Sequence, residues 1–230
     1  MKKFNSFQLK IIMVIAMFID HVAEFIQGTP LWFHYIGRIA APVFFYLLVE
    51  GFFHTSSKKS YIKRLAISGI IMLIGSSILM YIFNRPIKIT NNILISMALN
   101  LMLLSSIEWK KEANNKGLAN LSIGISFFLT LFAEGSILTT AMTLIFYFNR
   151  ENKTKMCLWY IFCSLLILTN PANSIYESLF VQNYQWMMVF SLPFILMYNG
   201  ERGRKAKYFF YIFYPVHIWT LYVIGNYINF

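Results

Sequence analysis

The sequence of 230 residues predicts an all-α polytopic integral membrane protein: a bundle of about nine transmembrane helices, or of seven plus a re-entrant hairpin. Three observations lead there. The chain is 58% hydrophobic and only 13% charged, against about 45–50% and about 25% in water-soluble domains. Its apolar runs, at about 20 residues per span, fill the length and leave little outside lipid. Its basic residues gather in five clusters at alternate connections, as the positive-inside rule requires. The clusters are Lys2, Lys3 and Lys10; Lys58, Lys59, Lys63 and Arg64; Lys110, Lys111 and Lys116; Arg150, Lys153 and Lys155; and Arg202, Arg204, Lys205 and Lys207, with only Arg38, Arg85 and Lys88 elsewhere. A soluble domain, a coiled coil, a disordered tail and a disulfide-framed secreted module are excluded. The net charge of +11 is laid out for topology rather than for nucleic acid, which is not expected as a partner.

The first helix is expected from Phe7 to Gln27, beginning on the cytoplasmic side. Its apolar run is followed by Asp20 and His21 rather than by a small-residue cleavage site, so it reads as retained. Gly28-Thr29-Pro30 turns the chain into a second helix, Leu31–Phe53, which returns to the Lys58–Arg64 cluster. A third helix covers Leu65–Phe83, an outer loop covers residues 84–92, and a fourth helix covers Ile93–Glu108. Leu118–Phe148 is split by Glu134-Gly135 into two short apolar pieces. Two crossings, or a hairpin returning to the same side, keep all five basic clusters inside, whereas one crossing does not. Met156–Thr169 then goes out, residues 170–184 form an outer segment, Gln185–Tyr198 returns, and Tyr208–Phe230 goes out again. Cys157 and Cys163 are six apart on one helix, a rise of about 9 Å that exceeds disulfide reach. No repeat or soluble linker interrupts the chain, which reads as a single transmembrane domain over residues 1–230.

The informative residues are those that lipid should exclude, since a charge at mid-span costs about 2.5–3.5 kcal/mol on insertion scales. Asp20, His21 and Glu24 lie on the first helix, Arg38 and Glu50 on the second, and His217 on the last, beside Pro215. Helical rise puts His21, Arg38 and His217 at about 16, 20 and 15 Å from the inner face, one shared layer. Glu24 shares the face of His21, while Asp20 points about 100° away. His34 and His54 read as interfacial. A buried pair between Arg38 and Asp20 or Glu24 is the purely structural alternative.

Three blocks carry a resemblance to a known family: Leu9–Val22 (LKIIMVIAMFIDHV), Ile36–Leu65 with its Gly-Arg, Pro42 and Val-Glu-Gly-Phe, and Asn199–Ile224 (NGERGRKAKYFFYIFYPVHIWTLYVI). In order and content these resemble the TraX family of bacterial membrane proteins, and more distantly the multi-pass acyltransferases. Ala41 and Ser56-Ser57 depart from the family's pattern. The resemblance implies a multi-pass protein of the bacterial cell membrane; the basic clusters put the N-terminus in the cytoplasm and the C-terminus outside. It also implies acetyl transfer, the family's founding activity being N-terminal acetylation of a conjugative pilin. The implied partners are acetyl-CoA as co-substrate, the lipid bilayer and an unidentified acceptor: a peptide, a glycan or a small amine.

Acyl transfer from a thioester needs a base and a cation for developing negative charge. His21 is expected as base, with Asp20 or Glu24 orienting it or binding an acceptor amine. Arg38, which cannot lose its proton, suits the electrostatic role, and His217 shares proton handling or bonds the acetyl carbonyl. Arg202, Arg204, Lys205 and Lys207 are expected near the phosphates, Tyr211 and Tyr214 near the thioester arm, and Glu24 and Glu50 near the acceptor. No metal site is expected. The rival class is a proton-coupled permease working through the same Asp/His/Arg layer.

Overall fold

A computed structural model describes residues 3–84, 86–166 and 174–228. The protein is an all-α polytopic membrane protein. Among the described residues there is no β-strand, only an isolated parallel bridge between Phe4 and Tyr198. Five helical stretches are long and apolar enough to cross a membrane: Ser6–Phe25, Trp32–His54, Lys58–Phe83, Ile93–Glu112 and Tyr208–Ile228. Shorter apolar helices lie between them.

Helix α1 (Ser6–Phe25) starts where Asn5 and Gln8 cap each other reciprocally, each side chain accepting the other's backbone N–H at 3.0 Å. Such caps contribute about 1 kcal/mol. It ends two residues earlier than Gln27, because the chain turns extended at Ile26 and then left-handed at Gly28 (φ +79°). The second expected helix is broken in two, α2 (Trp32–Gly37) and α3 (Ala40–His54). Pro42 is the cause. It has no N–H for the carbonyl of Arg38, and its ring crowds that carbonyl, so the helix cannot run through. Arg38 therefore stands at a helix break within the Trp32–His54 stretch.

Helix α4 (Lys58–Phe83) begins seven residues before Leu65, since Ser57 caps it through the Ser60 N–H. The basic cluster Lys58–Arg64 is its first turns. Its exposed Ile67, Ile70, Ile71, Leu73, Ile74 and Ile78 face outward as a lipid-contacting helix requires. Helix α5 (Ile93–Glu112) packs between α4 and α6 (Lys116–Thr130). A Cβ on Gly69 would meet the Ile95 side chain at 2.6 Å, so α4 and α5 approach closely there. Serine hydroxyls join α5 to α6, Ser106 lying 2.8 Å from Ser122 and 3.2 Å from Ser126, as small polar residues do between membrane helices.

The Leu118–Phe148 segment is two helices, α6 and α7 (Ser136–Phe148), joined by a turn with Gly135 (φ +71°) at its tip. At its tip the Glu134 carboxylate accepts the Asn92 N–H, and the Ser96 hydroxyl donates to the Glu134 carbonyl at 2.8 Å. The tip thus reaches the N-terminal end of α5, opposite Lys110 and Lys111. A carboxylate there also meets the positive end of the α5 dipole.

Helix α8 (Lys153–Leu165) follows, and Thr169 of its expected span lies outside the described residues, as do residues 170–173 of the outer segment. The rest of that segment includes a π-helical turn, Glu177–Gln182. Next come a 3₁₀ stretch, Gln185–Ser191, the short α9 (Leu192–Leu196) and α10 (Lys207–Ile228), with Phe230 outside the described residues. The two cysteines are free and half-buried.

The chain divides into two compact units, Met1–Leu47 with Ile145–Phe230, and Leu48–Leu144, α3 passing from the first into the second. The first holds α1, α2, α8, α9 and α10. The second holds α4, α5 and α6.

Candidate functional site

On α1 the buried side chains Leu9, Met13, Val14, Ala16, Met17, Asp20, His21 and Phe25 make a broad inward-facing side, with Asp20 toward one edge and His21 toward the other. On α10, Tyr214, His217, Ile218, Leu221 and Tyr222 do the same. The two faces meet, and His21 Nδ1 lies 2.8 Å from His217 Nε2 with both rings buried. Of the three residues that sequence depth put in one layer, His21 and His217 are in direct contact, while Arg38 bonds His34, Gln185 and Asp20 instead.

The protons of this pair follow from its anchor. His217 Nδ1 lies 2.7 Å from the Phe213 carbonyl, one turn back on α10. A carbonyl only accepts, so Nδ1 of His217 carries hydrogen and its Nε2 accepts from His21 Nδ1–H. The remaining lone pair is then on His21 Nε2. That nitrogen is 4.0 Å from the Glu24 carboxylate, and Glu24 is half-buried. Tyr214 stands edge-on to both imidazoles, at 6.2 Å from His21 and 5.7 Å from His217. Pro215 removes the amide that would bond the carbonyl of Tyr211.

Asp20 does not orient His21. Its oxygens are taken by His34 Nδ1 at 2.7 Å and Arg38 Nη2 at 2.6 Å. The physical reason is the one noted for its angle: Asp20 points away from the His21 face and toward α2. Gly37 makes room for it, since a Cβ there would run into the Asp20 side chain. We expect Gly37→Ala to expel the Asp20 carboxylate from this niche. The purified variant's melting temperature in detergent should fall by several degrees, an overpacking cost of about 1–3 kcal/mol; an unchanged melting temperature would contradict it.

Arg38 uses the break before α3 to spread its donors. Nε donates to the His34 carbonyl at 3.2 Å, Nη1 to Gln185 Oε1 at 3.0 Å and Nη2 to Asp20. Tyr184 lies against the guanidinium, 5.5 Å from its centre, and stacks on His34 at 5.5 Å with planes 10° apart. Burial pushes the Tyr184 phenol up, with Arg38 pulling it back and Asp20 and Glu24 adding to the rise. The segment before Tyr184 is also pinned by Tyr35, whose hydroxyl donates to the Phe180 carbonyl, and by Trp186, whose indole N–H donates to the Leu179 carbonyl at 2.8 Å.

Arg202, Arg204 and Lys205 are exposed on the loop before α10, and the Lys207 side chain lies outside the described residues. The loop is fixed by α1's first turn: Ser6 and Phe7 donate their N–H groups to the carbonyls of Glu201 and Arg202 at 2.8 and 3.2 Å. That satisfies helix-terminal amides which otherwise lack partners. Tyr211 is half-buried, one turn before Tyr214. Glu50 belongs to the second unit, buried, with its carboxylate 4.0 Å from His54 Nδ1. Among the described residues no group of three His, Cys, Asp or Glu is placed to hold a metal.

His34, Tyr184 and Gln185 were not expected in the cluster. The i, i+4 spacing of His34 and Arg38 was the readable signal for the first. Gln185 is 147 positions from Arg38, and no local pattern announces that pairing.

A relative from Dichelobacter nodosus, described as a probable fimbrial assembly protein FimC of serogroup H1, is 28% identical over 235 residues, spanning 94% of this chain and 93% of its own. No solved structure matches. The TraX protein family matches residues 6–225. That match takes in every residue of the His21–His217 and Asp20–Arg38 clusters as well as the helices that carry them, and on it the chain belongs to the TraX family.

Proposed function

We propose that the protein is a membrane acetyltransferase that moves an acetyl group from cytosolic acetyl-CoA to an acceptor amine or hydroxyl reaching His21 from the outer side. The observation that carries this reading is the His21–His217 pair, anchored so that one basic nitrogen, His21 Nε2, is left for an incoming proton. The acceptor's N–H or O–H gives its proton to that nitrogen as the acceptor attacks the thioester carbonyl. The C–S bond then breaks, and the thiolate leaves with the proton that His21 held. His21 Nδ1–H stays bonded to His217 Nε2 throughout, which spreads the positive charge of the imidazolium as a second ring shares it.

Arg38 supplies fixed positive charge for the oxyanion or the leaving thiolate. Asp20 and His34 hold it in place. Glu24, near Nε2, attracts an ammonium acceptor and stabilises the imidazolium. The exposed cations Arg202, Arg204 and Lys205 suit the phosphates of the donor. The α10 helix that starts beside them carries His217 about 15 Å further on, with Tyr211 and Tyr214 along the way for the thioester arm. The fimbrial role in the name of the Dichelobacter nodosus relative favours a protein terminus as acceptor.

A proton-coupled permease would need its relay to continue past His217, where the donors end on the Phe213 amide oxygen. The test is free-CoA formation from acetyl-CoA by the purified protein in lipid-doped detergent, with the labelled acetyl group traced to added amine-bearing peptides. Release above the protein-free blank with label on peptide is the expected result. No release and no acetyl-CoA binding, together with substrate-driven proton uptake into vesicles, would overturn it in favour of the permease.

A further inference from the structure

The outer segment lies against the site through one residue pair. Of the Arg38 donors, Nε is held by its own helix, Nη2 by Asp20 and Nη1 by Gln185, while the centre of the guanidinium lies over the Tyr184 ring, 5.5 Å from its centroid. Tyr184 is at the same time the stacking partner of His34, the other ligand of Asp20. The two adjacent residues therefore fix the plane of the guanidinium and the ring that shares its carboxylate. Neither Tyr184 nor Gln185 lies on a long helix. They end a segment that contains a π-helical turn and is tied down at Phe180 and Leu179 by Tyr35 and Trp186. Such turns are concentrated at functional sites, where they trade regular bonding for a particular side-chain direction.

We infer that Tyr184 and Gln185 are positioning residues for Arg38, a strap from the outer side that sets the orientation of the site's cation. The inference rests on the acetyl-transfer reading for its kinetic consequence and on geometry alone for its structural one. Without Tyr184 or Gln185 the guanidinium keeps the His34 carbonyl and Asp20, but its Nη1 partner or its aromatic neighbour is lost and the group can tilt about the contacts that remain. Its remaining N–H groups then miss the position where negative charge develops. A loss of this kind appears in the rate of the chemical step and not in donor binding. The Tyr184 ring, rather than its hydroxyl, makes both contacts, so phenylalanine should replace it.

The test uses the full-length protein with Tyr184→Phe, Tyr184→Ala and Gln185→Ala, each compared at equal monodisperse fraction. For Tyr184→Ala and Gln185→Ala, kcat for CoA release should fall about 10- to 100-fold with KM for acetyl-CoA unchanged, the usual scale for supporting partners. Tyr184→Phe should stay close to the parent protein. Tyr184→Ala should cost little more once Arg38→Lys is present, because both act through one group. A readout independent of activity is modification by phenylglyoxal, mapped by peptide mass spectrometry: Arg38 should react faster in Tyr184→Ala than in Tyr184→Phe. Equal Arg38 reactivity in those two variants, or additive losses with Arg38→Lys, would overturn the inference. If the parent protein and His21→Ala release CoA equally, the acetyl-transfer reading fails, and Arg38 reactivity still decides whether the strap positions it.

Discussion

His21→Ala should cut CoA release by about 10²–10⁴-fold while leaving the protein folded, and His217 variants should rank below it in severity. The asymmetry comes from the anchor on α10. The Phe213 carbonyl fixes hydrogen on His217 Nδ1, which makes His217 Nε2 the acceptor and His21 Nε2 the free base. Removing the base itself costs about 10²–10⁴-fold. Removing the ring that orients it costs about 10- to 100-fold. His217→Gln should retain more rate than His217→Ala, because a glutamine oxygen can take the place of Nε2 and accept from His21 Nδ1. The measurement is kcat in the CoA-release assay for the four proteins, with nitrogen-15 spectra of the imidazoles as an independent check on which nitrogens carry hydrogen. A larger loss in His217→Ala than in His21→Ala would reverse the assignment and make His217 the base. Folding of the alanine variants should be preserved by the contact of Phe25 on α1 with Tyr222 on α10, both buried and packed edge to face at 5.9 Å.

Much of this arrangement was readable from residues. Hydropathy and basic clusters gave the class, and rise per residue brought His21 and His217 to one depth, where they touch. The break before α3 was also written in the chain, since Pro42 lies four residues after Arg38 and disables that carbonyl. Three things were not readable. The Asp20 side chain faces away from His21, and only the packing of α2 on α1 shows which cations it meets there. Gln185 and Tyr184 reach Arg38 through tertiary placement of an irregular segment whose sequence has no helical period. The docking of Glu134 on the start of α5 likewise depends on how α6 packs along α5, which two short apolar pieces in the sequence do not state. Periodicity reports the face a residue takes on its own helix. It does not report which neighbour will stand opposite.

The largest effect on stability should come from splitting the Asp20–Arg38 pair. Both side chains are largely buried, Asp20 at 11% and Arg38 at 25% side-chain exposure, and each is the other's main compensation. Asp20→Asn leaves the guanidinium with a neutral partner, and Arg38→Gln leaves the carboxylate with His34 alone. Stranding one charge of a buried pair costs about 3–5 kcal/mol. The double variant Asp20→Asn with Arg38→Gln removes both charges and should recover a large part of that loss, since two amides can bond each other in the same niche. Thermal unfolding in detergent measures the cycle. Activity separates the structural reading of the pair from the catalytic one. If the ions only fix helix packing, CoA release returns together with stability in the double variant. If Arg38 stabilises charge in the reaction, the double variant regains its melting temperature and stays inactive, because no neutral amide can replace a fixed cation facing an oxyanion or a thiolate. We expect the second pattern. The guanidinium is held by three separate oxygen acceptors and an aromatic face, whereas a pair that served packing alone would need only the carboxylate.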